Sequence, residues 1–224
     1  QMAASTVVLR LHQGLTRPAI GTLFPTARQP VVVLDSGANV DCSPQELVQF
    51  ARLGAVFAED VLGRRDPGVG LLSIGEEPEK GNAVVKEAHQ LLKAAGVNFR
   101  GNVEGRDILK GENDHGTVDV VVCDGFVGNV VLKFYESVAP LLVGTLADHG
   151  FERDRLKTAL RHLDSDAVGG APLLGVRGVS IICHGKSSPR AIHNALIGAA
   201  NAVVHGLNEH IGARLAAPAP EATA

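Results

Sequence analysis

Four runs of apolar, mostly β-branched residues end abruptly in short loops of glycine and polar side chains. Val31–Leu34 runs into Asp35-Ser36-Gly37-Ala38-Asn39, and Val69–Leu72 into Ser73-Ile74-Gly75-Glu76-Glu77. Val118–Val122 meets Cys123-Asp124-Gly125, and Val179–Ile182 meets Cys183-His184-Gly185-Lys186-Ser187-Ser188. Largely apolar runs of this length suit strands buried on both faces, as in a parallel sheet covered by helices. Between them the apolar period becomes helical. Ser43-Pro44-Gln45-Glu46 has the form of a capped helix start. Leu47, Phe50, Ala51, Gly54, Phe57, Ala58 and Val61 follow at helical spacing, and Gly63 closes the segment. Asn82 caps a second helix with Val85, Ala88, Leu91 and Leu92 on its inner face, ending near Gly96, and Val97–Val103 reads as a further strand. A third helix follows Gly128-Asn129 through Val130, Val131, Phe134, Val138, Leu141 and Leu142, with a kink expected at Pro140. Ser188-Pro189 opens the last, carried by Ile192, Ala195, Leu196, Ala199, Val203 and Leu207. This rhythm predicts an α/β fold with a doubly wound, mostly parallel sheet. Residues 1–215 are expected to form one domain, and 216–224, with Pro218 and Pro220, a disordered tail. In such sheets ligands bind beyond the carboxyl ends of the strands, where the glycine-rich loops lie.

Composition narrows the picture only a little. With 224 residues and 45% hydrophobic content the chain can bury a full core. A formal net charge of -3 gives no support to nucleic-acid binding. Three cysteines fit a reducing compartment and no disulfide framework. No stretch reaches the roughly 20 apolar residues expected of a spanning helix. Met2–Leu9 is apolar but short and lacks a basic leader, so it does not read as a signal peptide. The expectation is a cytoplasmic protein.

The loops suit anions and carbonyl oxygens, because glycine lets backbone N–H groups approach a ligand and a helix N-terminus favours negative charge. His184-Gly185-Lys186-Ser187-Ser188 adds hydroxyls and a cation to that geometry, and Asp124-Gly125-Phe126-Val127-Gly128-Asn129 is a second instance. Tight βα turns would require the same glycines, so both readings stand at this point. Neither loop has the spacing of a nucleotide-binding glycine motif, and Gly75–Gly81 is too acidic for a simple phosphate cradle. Cys42, Cys123 and Cys183 read as small core residues. The nine histidines lack metal-ligand spacing, so no metal is expected. His184 suits either catalysis or a structural hydrogen bond. Arg153, Arg155, Lys157 and Arg161 form a solvated helix face or, alternatively, a docking patch for an acidic partner or anionic lipid.

At the level of blocks the sequence resembles a known family. Leu34–Asp41, Gly70–Glu77 through Lys80-Gly81-Asn82, Gly101–Asp107, Val122–Lys133 and Gly169–Gly175 are similar to blocks of the bacterial phosphate acyltransferases. Cys183–Ser188 followed by Arg190-Ala191-Ile192 resembles the family's closing motif, and the blocks run in family order from residue 2 to residue 205. The resemblance implies transfer of a fatty acyl group from acyl carrier protein to inorganic phosphate, giving acyl phosphate for phospholipid synthesis. It implies a fold similar to phosphotransacetylases and isopropylmalate-dehydrogenase-like proteins, and no cofactor. It further implies a cytoplasmic homodimer, peripheral at the inner face of the membrane, that supplies a membrane glycerol-3-phosphate acyltransferase. Family members begin with a further segment carrying an Asp-Ala-Met-Gly-Gly-Asp-like strand end and a Gly-Asn-Thr-Gly-Ala-like loop. Gln1-Met2-Ala3-Ala4 falls inside the helix after that loop, so these 224 residues alone are expected to have little activity. Lys186 stands where the family pattern leads one to expect a small or polar residue.

That reaction needs no catalytic triad. Phosphate is already an anionic nucleophile, and a thiolate with a conjugate-acid pKa of about 8.5 leaves readily. What remains is positioning and preorganised electrostatics. The candidates are His184, Asn129 and Lys133 as catalytic groups, and Ser187, Ser188, Lys80, Asn82, Asp124 and Gly125 for substrate binding. Two rivals remain: an NAD-dependent dehydrogenase of similar fold, whose paired carboxylates and arginine cluster cannot be assembled here, and an inactive domain that dimerises or docks at a membrane.

Overall fold

The computed structural model describes residues 1–26, 28–163 and 169–216. A short helix, α1 (Met2–Leu9), leads to β1 (Ala19–Ile20), β2 (Thr22–Phe24) and β3 (Val31–Leu34). All four side chains of β3 are buried, because helices cover both faces of the sheet. Ser43 caps α2 (Pro44–Asp60) in a full capping box with Glu46, and β4 (Gly68–Leu72) follows. Asn82 caps α3 (Ala83–Leu92), which leads to β5 (Asn98–Val103), α4 (Gly105–Lys110) and a small hairpin of β6 (Glu112–Asn113) and β7 (Gly116–Thr117). β8 (Val120–Val122) then enters the sheet between β3 and β4. The order is β2-β3-β8-β4-β5, with every pair parallel except antiparallel β2 on β3.

Strand periodicity sends alternate residues to opposite faces. Val32, Leu34, Val120 and Val122 pack with Leu47, Phe50 and Phe57 of α2, Leu92 of α3, and Leu207 and Ile211 near the C-terminus. Val31, Val33 and Val121 face the other way, toward Phe24, Ile108 of α4 and Tyr135 of α5 (Gly125–Asp148). Each such buried side chain stabilises the fold by about 1.5–3 kcal/mol relative to exposure.

The fourth apolar run departs from expectation. Only Ile181–Ile182 is a strand (β10), it is half-buried, and it pairs antiparallel with β9 (Ala171–Leu174). Gly175, at φ +94°, turns the chain back after β9, so β10 returns along β9 and never reaches the parallel sheet. β1 lines the other edge of β9 and completes a separate three-stranded sheet. Other corrections are smaller. β8 starts at Val120, since Asp119 turns aside to accept the Gly68 N–H at its carboxylate. α5 starts at Gly125, capped by Asp124, and continues through Pro140. The last helix splits at Gly206 (φ +65°) into α7 (Pro189–Val204) and α8 (Leu207–Ala216), which lets Leu207 and Ile211 turn onto α2. Ala216 is thus helical, and residues 217–224, where the tail is expected, lie outside the described residues. Against the expectation of no spanning-length segment, α5 has the length and mean hydropathy of one, 1.5 in its most apolar window, with only 6% of that window buried. Its first turns are nonetheless anchored on the sheet through Gly125, Gly128 and Tyr135. Among the described residues between α5 and β9 lie α6 (Arg153–Ala159) and a 3-10 turn at Arg161–Leu163.

Candidate active site

Asp35, directly after β3, ties the two sheets together. It is fully buried, and its carboxylate accepts the N–H groups of Ile20 on β1 (2.9 Å), Ala38 (3.1 Å) and Asn39 (2.6 Å), and the Asn39 amide (2.9 Å). Burial pushes this carboxyl up, and those hydrogen bonds offset part of the effect. All four donors are N–H groups that need an acceptor, so the group works as a clamp. The first turn of α5 presses onto the same loop. A Cβ on Gly125 would meet Asn39 O at 2.6 Å and Asp35 Oδ2 at 2.7 Å, and one on Gly128 would overlap Asp35 O. Only glycine permits that approach.

Where β2, the β9–β10 hairpin and α5 converge, the surface opens into a cleft of about 240 Å³. His184, Ser187 and Cys183 line it from the loop after β10, Lys133 and Glu136 from α5, and Ser36 from the loop after β3. Ile20, Leu23, Phe24, Leu132 and Leu163 make its wall largely apolar. Lys133 Nζ sits 2.8 Å from Glu136 Oε2, so an arriving anion competes with a carboxylate for it. Lys186 N–H donates to His184 Nδ1 (3.2 Å), which leaves Nε2 as the ring's N–H and a donor toward ligand.

Three of the nine sequence candidates therefore meet in one place: His184, Ser187 and Lys133. The other six sit elsewhere, and Ser188, Asp124, Asn82 and Gly125 have polar atoms already engaged. Ser188 Oγ caps α7 by accepting the Ala191 N–H, and Asp124 caps α5 by accepting the Val127 N–H. Gly125 N–H donates to Asn39 O (2.7 Å), so this helix start is not an open anion cradle. Asn129 stands over Gly37, with Oδ1 3.5 Å from where a Cβ there would lie. Asn82 Oδ1 accepts the Val85 N–H, and Lys80 is exposed on the loop after β4. None of these six lines the cleft. Cys183 is half-buried and lines the cleft, contrary to its reading as core. Cys123 is buried. Cys42 is half-buried, and burial, with the charges of Asp35, Glu46 and Asp124, pushes its thiol up to about 12, which makes it a poor nucleophile at neutral pH. The basic patch is partly neutralised, with Arg155 on Glu152 (2.9 Å) and Lys157 on Asp154 (3.8 Å).

A family model described as "Fatty acid synthesis protein" matches residues 1–210. The chain belongs to that family. Among its relatives is the phosphate acyltransferase of Desulforamulus reducens, 49% identical over 217 residues that cover 92% of this chain and 64% of that protein. The phosphate acyltransferase of Nitratidesulfovibrio vulgaris is 48% identical over 222 residues, covering 94% and 63%. The chain thus spans less than two thirds of the length of these curated relatives. In fold it is similar to the EutD phosphotransacetylase from Staphylococcus aureus, with a TM-score of 0.59 at 16% identity over 88% of this chain and 58% of that one. A phosphotransacetylase from Streptococcus pyogenes gives 0.61 at 17% identity, covering 90% and 59%. Membership in the family agrees with the resemblance read from the sequence blocks.

Sequence reasoning missed Asp35, Ser36, Glu136, Thr22 and Tyr135. Asp35 and Ser36 stood in a quoted strand-end block, and Tyr135 and Glu136 follow Lys133 within one helical turn. The signal was position beside a candidate. Thr22 carried no signal, because it lies on a short edge strand outside the quoted blocks.

Proposed function

We propose that this chain carries the acyl-transfer site of an enzyme that moves a fatty acyl group from acyl carrier protein to inorganic phosphate. The observation that supports this most is the convergence of Lys133, His184 and Ser187 on an apolar-walled cleft, in a chain whose relatives are named phosphate acyltransferases. A phosphate oxygen attacks the thioester carbon, the C–S bond breaks, and the sulfur leaves as thiolate, taking up the proton of the phosphate monoanion or dianion. Lys133 balances phosphate charge once Glu136 yields it. His184 Nε2–H and the Ser187 hydroxyl donate to the oxyanion or to phosphate oxygens, as preorganised donors do in such sites. The apolar wall excludes water, which favours phosphate over water as the acceptor.

In this reading the protein is cytoplasmic and peripheral at the membrane, and its acyl phosphate passes to a membrane glycerol-3-phosphate acyltransferase. A second reading is favoured by one observation. Phe126, Val130, Phe134 and Leu141 leave an exposed apolar stripe on α5, which suits a homodimer whether or not this chain is active. The decisive assay incubates acyl carrier protein thioester with phosphate and this chain, alongside a form extended to the length of its relatives, and traps acyl phosphate with hydroxylamine. The extended form should yield hydroxamate in proportion to phosphate. Thiol release that is indifferent to phosphate would mean a thioesterase and sink the proposal.

A further inference from the structure

Two buried hydroxyls, on residues that line the cleft, have no part in the chemistry above. Tyr135 is 8% exposed, and its ring packs on Phe24 with centroids 5.2 Å apart. Neither Tyr135 Oη nor Thr22 Oγ1 has a hydrogen-bond partner among the described residues, and both residues line the cleft. Of the five buried polar atoms in that condition among the described residues, these two alone belong to residues of the cleft. A buried hydroxyl left unpaired costs about 1–3 kcal/mol. Such a cost is offset where a ligand, or water in its absence, supplies the missing acceptor. Burial also pushes the Tyr135 phenol up, so it stays protonated and able to donate at neutral pH.

The surroundings restrict what that ligand can be. The cleft that Thr22 and Tyr135 share with Lys133, Glu136, His184 and Ser187 is also lined by Ile20, Leu23, Phe24, Leu132 and Leu163, which offer apolar contact. A ligand that satisfies both must carry an acceptor oxygen on an apolar body. The cation that would attract a fully charged headgroup, Lys133, is two residues from Tyr135 along α5 and is engaged by Glu136.

We propose that Thr22 and Tyr135 bind the acyl group of the substrate, donating hydrogen bonds to its carbonyl oxygen while the Ile20–Leu132 wall takes the first part of its chain. This rests on the acyl-transfer reading and adds binding residues to it. A site built to hydrogen-bond an oxygen discriminates against the analogue that lacks it far more than an apolar pocket does. The preference for thioester over thioether is therefore the property to measure.

Tyr135 is the only tyrosine of a chain without tryptophan, so tyrosine emission and phenolate absorbance report on this residue alone. The probes are dodecanoyl pantetheine and its dodecyl thioether, which lacks the carbonyl. Dodecanoyl pantetheine should change tyrosine emission saturably and raise the pH at which the phenol ionises, since the phenolate cannot donate. Tyr135→Phe should weaken thioester binding about tenfold and leave thioether binding unchanged, and Thr22→Val should do the same by calorimetry. Parent-like discrimination in both folded variants, or a tyrosine signal indifferent to the thioester, overturns the proposal. Thioester binding through Tyr135 without acyl phosphate formation would refute the acyl-transfer reading and leave the site standing. Turnover with an unchanged KM in Tyr135→Phe would do the reverse.

Discussion

At the scale of single residues, the cleft depends on side chains whose roles are set by their hydrogen bonds. Lys186 N–H fixes the tautomer of His184, and Ser187 lines the cleft while its neighbour Ser188 is occupied in capping α7. His184→Ala or Ser187→Ala should therefore lower turnover of the extended enzyme without unfolding it, whereas Ser188→Ala should act through stability. Loss of one oxyanion or phosphate donor typically removes about 2.7–4 kcal/mol of transition-state stabilisation. Steady-state kinetics beside thermal melts separate the two effects. Unchanged kcat in both His184→Ala and Ser187→Ala would return the loop to a plain tight turn. Adjacent serines differ here for a reason no residue type reveals: the helix axis decides which hydroxyl faces the backbone and which faces the cleft.

At the scale of elements, the caps were legible and the pairings were not. Ser43 and Glu46 exchange hydrogen bonds across the first turn of α2, with Ser43 N donating to Glu46 Oε2 at 2.8 Å and Glu46 N to Ser43 Oγ at 3.3 Å. Burial pushes the Glu46 carboxyl up, but Ser43 N–H, the Thr16 and Ser43 hydroxyls and Arg17 outweigh it and hold it below its usual 4.5. A carboxyl lowered on folding adds stability above its unfolded value, and that stability is lost as pH falls through the folded one. Glu46→Ala should cost about 1 kcal/mol near neutral pH, and the deficit should shrink once the pH drops below 4.5. Chemical denaturation of both proteins at several pH values checks this. A deficit constant down to strong acid would show that packing, not the charged cap, is what Glu46 contributes. Local capping reads from sequence because its partners lie three residues apart. Strand partners do not: β10 is apolar and β-branched like most of β3, yet it pairs antiparallel with β9, because Gly175 turns the chain first.

At the scale of the whole molecule, one face of the sheet is well covered and the other only thinly. α2, α3 and α8 close the first, while α5 offers the second mainly Val131, Leu132 and Tyr135. Its outer side leaves Phe134 73% exposed. A stripe of this kind is expected to be covered by a second copy of the chain. Phe134→Glu should then shift the protein toward monomer in sedimentation velocity with the secondary structure intact. A parent that already sediments as a monomer at every concentration tried would dismiss the dimer through α5. The sequence by itself determined the doubly wound order of strands and helices, the capped starts of α2, α3 and α7, and the family, since each is written in apolar period, short-range hydrogen bonding or ordered motif blocks. The cleft was decided only in three dimensions. Its residues come from β1–β2, the loop after β3, α5 and the β9–β10 hairpin, and two buried contacts bring these together: Asp35 clamping β1 to the sheet, and Gly125 and Gly128 letting α5 close on the Asp35 loop. Those contacts join residues up to 93 positions apart, Gly128 with Asp35, and no local pattern encodes which distant backbone a glycine will meet.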